Sequence, residues 1–150
     1  MLKEFLEINK LKAKIVATSK PIIDVSLTAE EMHISSSNIG KTILFIDEAG
    51  FGILCIISAS SKINESKIIK LLGIKKLTLA SPKKALEITD YEFDAIPPIS
   101  IYGLKVILDK KLAENKTIYC NAGEKQKLLQ ISAQEIIENN EDILVEEITN

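Results

Sequence analysis

The stretch 42–57, TILFIDEAGFGILCII, consists of two apolar runs separated by the short segment Asp47-Glu48-Ala49-Gly50. Both runs are rich in isoleucine and other β-formers, which is typical of strands buried in the centre of a sheet. A short polar turn between two such runs predicts an antiparallel hairpin. We therefore expect residues 42–46 and 51–57 to be paired central strands.

Other segments of strand length lie on both sides of this hairpin. Further strands are predicted at residues 13–17, 76–79, 105–108, 117–120, 128–131 and 143–145. The segment 94–100 contains two consecutive prolines, which fit neither a helix nor a central strand, so a loop is predicted there.

Five short helices are predicted from apolar spacing and from residues that begin or end helices. They are a helix from Leu2 to about residue 9, one opened by the capping-box spacing at Thr28 and running through His33, one capped by Asn64 and stopped by Gly73, one opened by Ser81-Pro82, and one opened by the capping box 132–135. Pro21 is expected to begin a bend between the first strand and the second helix.

Strands outnumber helices, and several adjoin through turns too short for a crossover helix. The sequence therefore predicts an α/β fold with a mixed, mostly antiparallel sheet, curled toward a barrel and flanked by short helices. A doubly wound parallel sheet is disfavoured. A chain of 150 residues suits one domain, spanning 1–150.

Composition narrows the function classes. Apolar residues make up 46% and charged residues 27% of the chain, which is typical of a globular protein. The first residues lack a signal-peptide core, and no apolar run reaches the length of a membrane span, so we expect a cytoplasmic protein without a membrane partner. Cys55 and Cys120 lie far apart in strand-like segments and His33 is the one histidine, so neither a metal site nor a cofactor is expected.

The net charge of −2 argues against nucleic-acid binding through bulk charge. Between residues 61 and 84, however, seven lysines stand against one acid, whereas residues 132–150 carry six acids and no base. The lysine cluster is either a solvated helix face or a surface that contacts phosphates. Because the chain has no arginine, any phosphate contact is a point charge rather than a bidentate fork.

Familiar catalytic motifs are absent. Gly40-Lys41-Thr42 ends like a phosphate-binding loop, but Ser35 stands where that motif needs glycine and a strand follows instead of a helix. What remains is a lysine at the start of a strand, the two-proline loop, and Asn121-Ala122-Gly123-Glu124 after another strand. Such places can surround a small ligand with backbone amides and one cation, or they are ordinary turns.

In this order and spacing the segments resemble the YbaK/EbsC family of free-standing aminoacyl-tRNA editing domains, related to the editing insertion of bacterial prolyl-tRNA synthetase. The likeness covers nearly the whole chain. It is carried by residues 39–45, 70–77, 80–82, 89–91, 96–98, 118–124 and 131–135.

The resemblance implies hydrolysis of the ester of mischarged tRNA that carries cysteine, alanine, serine or threonine, with neither a metal nor a catalytic triad. It implies that Lys41 engages the substrate near its charged aminoacyl or terminal-adenosine end. The G-x-x-x-P loop of the family offers backbone groups to the ester carbonyl, and a loop after a strand lines the pocket. By this resemblance the catalytic candidates are Lys41, Asp94, Ala95, Ile96 and Pro98, and the substrate-binding candidates are Lys41, Pro97, Asn121, Ala122 and Gly123.

The chain departs from the family at one place. Relatives carry glycines where this chain has Asp94 and Ala95, and another after the prolines, where Ile99 and Ser100 precede Gly103. Glycine permits close approach of a ligand to the backbone, so other residues at these positions can narrow the pocket. The alternative is therefore a protein that binds aminoacyl-tRNA or a synthetase without hydrolysing it. A third hypothesis is an unrelated small-ligand module. The expected partners are the acceptor end of aminoacyl-tRNA and, as a further candidate, a synthetase.

Overall fold

The computed structural model describes residues 1–18 and 25–150, without the side chains of Val25 and Ser26. The helices are α1 Leu2–Ile8, α2 Val25–Met32, α3 Glu65–Leu72, α4 Pro82–Thr89, α5 Lys110–Ala113 and α6 Ala133–Glu138, with a 3-10 turn at Ser36–Asn38. The strands are β1 Lys14–Ala17, β2 Gly40–Asp47, β3 Gly52–Ser58, β4 Leu77–Leu79, β5 Lys105–Asp109, β6 Thr117–Asn121, β7 Lys127–Ser132 and β8 Ile143–Glu146. Pro21 lies outside the described residues.

The strands form two sheets. The larger has the order β4-β2-β3-β5-β8, and its centre is the predicted hairpin β2–β3, in register from Gly40 opposite Ser58 to Ile46 opposite Gly52. The pairs β3–β5 and β5–β8 are parallel, whereas β2–β4 and all pairs of the smaller sheet, β1-β7-β6, are antiparallel. The mixed, mostly antiparallel α/β fold is confirmed. A single bridge between Ile39 and Tyr119 links the two sheets, which do not close into a barrel within the described residues.

Strand β3 is buried along its whole length because both of its faces are covered. Alternate residues of a strand point to opposite faces. Leu54 and Ile56 join the cluster that fills the space between the two sheets, together with Leu108 and Leu129. Cys55, Ile57 and their neighbours pack on the other face, against Ile68 of α3. This two-sided burial explains the continuous apolar run in the sequence.

Capping residues fix most of the helix ends as predicted. Asn64 accepts the N–H of Lys67, and Gly73 ends α3 in the left-handed conformation. Ser81 accepts the N–H of Lys84 at the start of α4, where Pro82 occupies the first turn. These short local patterns need no information from the rest of the chain, which is why the sequence predicts them well.

One helix start and one half of a capping box differ from the prediction. Helix α2 begins at Val25, so the predicted start at Thr28 is wrong; Thr28 and Ala29 are buried, and packing of this helix face overrides the local capping pattern. At α6, Ser132 accepts the N–H of Glu135 as predicted. The Glu135 carboxylate, however, accepts the N–H of Lys12 at 2.8 Å, so it ties α6 to the segment before β1.

Candidate functional site

The first residues of β2 lie where the two sheets come closest. A Cβ added at Gly40 would lie 2.8 Å from the Cys120 Sγ, so only glycine allows β6 to approach β2 this closely. Thr42 points into the space between the sheets and is buried. Lys41, its neighbour, leaves the opposite face of the strand beside Ile57, its partner in the hairpin register, and is half-buried.

The Lys41 ammonium takes part in none of the hydrogen bonds or ion pairs found in the described part of the chain. The other strand-borne candidate, Asn121, ends β6 and is also half-buried. A cation without a structural partner at the start of a strand is available for an anionic or polar ligand. No contact between the described residues joins Lys41 directly to the two loops that complete the predicted site.

The Thr42 hydroxyl joins three of the predicted site segments. It donates to the backbone carbonyl of Ile96 at 2.5 Å and accepts a hydrogen bond from the Asn121 Nδ2 at 3.3 Å. The two partners lie 54 and 79 residues away along the chain. One buried side chain thus ties β2 to the two-proline loop and to the end of β6.

A second link joins the same two loops. The Gly123 N–H donates to the Ala95 carbonyl at 2.9 Å. Gly123 has φ of +83°, and a Cβ added there would lie 2.8 Å from the Cε1 of the buried Tyr91 ring. Both the backbone conformation and the close aromatic ring therefore require glycine at this position. Ala122, next to it, is buried.

The loop 94–98 is held mainly through its carbonyl groups. The Ala95 carbonyl accepts the Gly123 N–H, and the Ile96 carbonyl accepts the Thr42 hydroxyl. The Pro98 carbonyl accepts from the Asn140 Nδ2 at 2.9 Å. Among the loop's donors, the Ala95 N–H is used by the Glu92 carbonyl, and Pro97 and Pro98 have none. The Ile96 N–H takes part in no hydrogen bond among the described residues.

Burial decides how that amide can be used. Residues 95–99 are all buried, and Ile96 is 0% exposed. A ligand therefore reaches the Ile96 N–H only when the atoms that cover it move. Asn121 and Gly123, whose hydrogen bonds join this region, are partly exposed and therefore accessible without such a change. Lys41 is also partly exposed, on the opposite face of β2.

The residues that replace the family glycines fit the loop without strain. Neither Asp94 nor Ala95 has a positive φ, so their backbone conformation does not require glycine. The Asp94 side chain is exposed, whereas Ala95 is buried. Strain appears instead at Ser100, whose φ of +67° is one that glycine adopts more readily.

The lysine cluster lies mostly on the surface. Lys62, Lys70, Lys75, Lys76, Lys83 and Lys84 are exposed. Lys67 is half-buried and is held by Glu147 at 2.9 Å and by the Thr149 carbonyl at 2.7 Å. The predicted basic side and acidic end therefore touch each other at Lys67.

The two cysteines, the histidine and the possible metal ligands form no further candidate site among the described residues. Cys55 and Cys120 are fully buried, and burial raises the pKa of both thiols to about 12. His33 is exposed and follows α2 with a φ of +56°. No group of three His, Cys, Asp or Glu residues in the described ranges is placed to hold a metal, and none of the described helices has the length and apolarity of a membrane span.

A separate groove of about 1060 Å³ contains none of the predicted site residues. It is lined by the exposed aromatic side chains of Phe51 and Tyr102 and by four acids, Asp47, Glu138, Glu141 and Asp142, against one base, Lys105. Its surplus of negative charge is unsuited to a polyanion such as tRNA.

Sequence reasoning missed two residues that organise the site. In the sequence, Thr42 belongs to a predicted strand, to an incomplete phosphate-loop motif and to the family resemblance, and Tyr91 belongs to that resemblance, but neither is among the predicted site residues. Their importance depends on contacts with distant segments, and a pattern of neighbouring residues contains no sign of such contacts.

Comparison with known proteins identifies the family of the chain. The sequence model of the aminoacyl-tRNA editing domain matches residues 19–138. The uncharacterized protein YwhH of Bacillus subtilis (strain 168) is 28% identical over 115 residues, which cover 76% of this chain and 73% of YwhH. The proline--tRNA ligase of Halalkalibacterium halodurans is 22% identical over 133 residues, which cover 81% of this chain and 23% of the ligase.

Two solved structures share the whole fold. The hypothetical protein APE2540 superposes with a TM-score of 0.90 at 25% identity, covering 99% of both chains. A candidate trans-editing enzyme for prolyl tRNA synthetase superposes with a TM-score of 0.86 at 18% identity, covering 99% of this chain and 96% of the other. The family match spans well over half of the sequence and includes every residue of the site described above; the chain belongs to the aminoacyl-tRNA editing domain family.

Proposed function

We propose that this chain hydrolyses the ester bond of mischarged aminoacyl-tRNA that carries a small amino acid, such as cysteine, alanine, serine or threonine. The observation that carries the proposal is the junction at Thr42, the residue next to Lys41 in the chain, which brings the two-proline loop and the Asn121 loop together. In this proposal residues 1–150 act as one editing domain in the cytoplasm.

The chemistry suits a site with few polar side chains. An aminoacyl ester is already activated, so positioning a water molecule and stabilising the developing oxyanion supply much of what the reaction needs. A well-placed oxyanion donor contributes roughly 3 to 4 kcal/mol. Asp94 and Ile96 both have a backbone N–H without a partner among the described residues; we assign the buried Ile96 N–H to the oxyanion, and substrate binding must uncover it. Neither a metal nor a strong base is required.

Lys41 provides the charge for substrate binding. Its ammonium has no structural partner among the described residues, and the ester lies next to the terminal adenosine and its phosphate. We place Lys41 at this end of the substrate. The exposed lysines between residues 62 and 84 then contact the acceptor stem as point charges, and a synthetase is the candidate partner that adds tRNA specificity.

A binding protein without hydrolytic activity is the second candidate. It is favoured by Asp94 and Ala95 in place of the family glycines and by the complete burial of Ile96. If the covering atoms do not move, the site holds the charged end of the tRNA but never contacts the ester carbonyl with the Ile96 amide. The two candidates predict the same binding and opposite results for hydrolysis.

The test is deacylation of tRNAs charged with cysteine, alanine, serine, threonine or proline, by the wild type and by Lys41→Ala. We expect selective hydrolysis of one small amino acid and a loss of about 100-fold or more in the variant, because a charged contact to the reacting end is removed. Thermal unfolding should be nearly unchanged, since the ammonium has no partner in the described fold.

Lys14→Ala is the matched control, because Lys14 is an exposed lysine that also stands on a strand. It should retain full activity. Hydrolysis that persists in Lys41→Ala would refute the role of Lys41. A wild type that binds every charged tRNA but hydrolyses none would establish the binding protein instead.

A further inference from the structure

We infer that Thr42 is a positioning residue of this site: its hydroxyl, together with the Gly123 N–H, sets the direction of the Ile96 N–H, the donor proposed for the ester carbonyl. The inference rests on the proposed function, and it assigns a role to a side chain that never touches the substrate. It starts from the hydrogen bonds on the two peptide groups that flank Ile96.

Both peptide groups beside Ile96 are anchored through their oxygens. The Ala95 carbonyl accepts the Gly123 N–H, and the Ile96 carbonyl accepts the Thr42 hydroxyl. A trans peptide group is planar, with its N–H opposite to its C=O. The Ile96 N–H therefore points away from Gly123. Fixing the next peptide group at Thr42 leaves the two backbone dihedrals of Ile96 little freedom.

The second hydrogen bond of Thr42 fixes the direction of its proton. Because the Asn121 Nδ2 donates to Oγ1, the hydroxyl is an acceptor on one side and can direct its own hydrogen at the Ile96 carbonyl on the other. Thr42 is 5% exposed, so water competes poorly for either bond. The prolines that follow offer no N–H through which the loop could be held in another way.

This arrangement predicts a specific kinetic defect. Thr42→Val keeps the shape of the side chain and removes the hydroxyl, so the Ile96 amide loses one of the two anchors that fix its direction, while Lys41 and the surface lysines still bind the tRNA. We expect kcat to fall by roughly 10-fold to 100-fold, as for a misplaced oxyanion donor, with KM changed by less than about threefold. Thr42→Ser keeps the hydroxyl and should restore kcat.

The control is Thr149→Val, which removes another buried hydroxyl from a separate network, where it bonds to the Asp109 carboxylate. If Thr42 acts only through stability, both valine variants will lose activity in proportion to their loss of melting temperature. A lower kcat in Thr42→Val alone, rescued by serine, supports the positioning role. Wild-type kcat in Thr42→Val, or a serine variant as slow as the valine variant, overturns it.

A second measurement separates this inference from the proposed function. In amide hydrogen exchange followed by NMR, the Ile96 N–H should exchange faster in Thr42→Val than in the wild type and in Thr42→Ser. If the wild type hydrolyses no charged tRNA, the proposed function fails, and the exchange rates still decide whether Thr42 positions the Ile96 amide. Equal exchange rates in the three proteins overturn the inference.

Discussion

Two buried polar junctions tie distant parts of this chain together, and they differ in one respect. At the first, the Thr42 hydroxyl connects β2 to the two-proline loop and to β6. At the second, the Asp109 carboxylate accepts the N–H of Lys111 at 3.2 Å, the N–H of Ile148 at 2.9 Å and the hydroxyl of Thr149 at 3.4 Å. Asp109 is 0% exposed.

The difference lies in what each junction leaves unpaired. Both oxygens of Asp109 accept hydrogen bonds, and the donors around it are used in the fold. Beside Thr42, the carbonyl groups of the loop are paired while the Ile96 N–H has no partner among the described residues. A buried donor without a partner calls for an explanation, and in the proposed function the Ile96 N–H is kept for the ester carbonyl of the substrate. Three predictions test this distinction.

The largest effect is expected for Asp109→Ala. The change leaves the buried N–H of Ile148, the buried hydroxyl of Thr149 and the part-buried N–H of Lys111 without their acceptor, so we expect the free energy of unfolding to fall by about 2 to 4 kcal/mol. Denaturation in urea measures this loss. Hydrolysis per folded molecule should match the wild type. A variant of normal stability that has lost hydrolysis would show that the Asp109 junction serves the reaction and not the stability of the fold.

Gly123→Ala should cost less stability but impair the site. The positive φ disfavours alanine, and the new methyl group would displace the Tyr91 ring, so we expect a loss of about 1 to 3 kcal/mol and slower hydrolysis. Gly50→Ala is the matched control, because Gly50 has a φ of +88° with open space around it. The difference between the two melting curves isolates the contact with Tyr91. Equal curves with equal activity would remove Gly123 from the site.

The smallest effect is expected for Asp94→Gly, which restores a family glycine. Asp94 is exposed and has no positive φ, so its replacement relieves no strain and opens little space. Hydrolysis should change by less than about threefold, and stability should fall by roughly 0.5 to 1 kcal/mol through the added backbone freedom. A gain of tenfold or more would mean that the carboxylate obstructs the substrate, which favours the non-hydrolytic alternative for the wild type.

The sequence predicted the local features well. The central hairpin, the caps at Asn64 and Ser81, and the loop at Pro97 and Pro98 each depend on a few neighbouring residues, and the structure contains all of them. The predicted start of α2 was wrong because packing of the helix, and not the local capping pattern, fixes where it begins. The short helix α5 was missed because its four residues, capped by Asp109, are too few to show a period.

The site was predicted less completely than the fold. The resemblance singled out Lys41, the two-proline loop and the Asn121 loop, and the structure brings the two loops together. It could not single out Thr42, because the value of that residue depends on atoms 54 and 79 residues away. The division of the strands into two sheets was hidden for the same reason, since pairing between distant strands is not visible in the local pattern of either strand.

The close approach of the sheets at Gly40 turns Cys120 into a natural reporter. Cys120 belongs to the smaller sheet, and its thiol lies against β2 of the larger sheet. Cys55 lies in the central strand of the larger sheet, and neither cysteine is exposed. A thiol-specific reagent can label Cys120 only when the sheets separate, and Cys55 only when α3 leaves the outer face of the larger sheet or that sheet unfolds. The labelling rates of the two cysteines therefore measure, without any engineered probe, whether uncovering the site is a local motion or global unfolding.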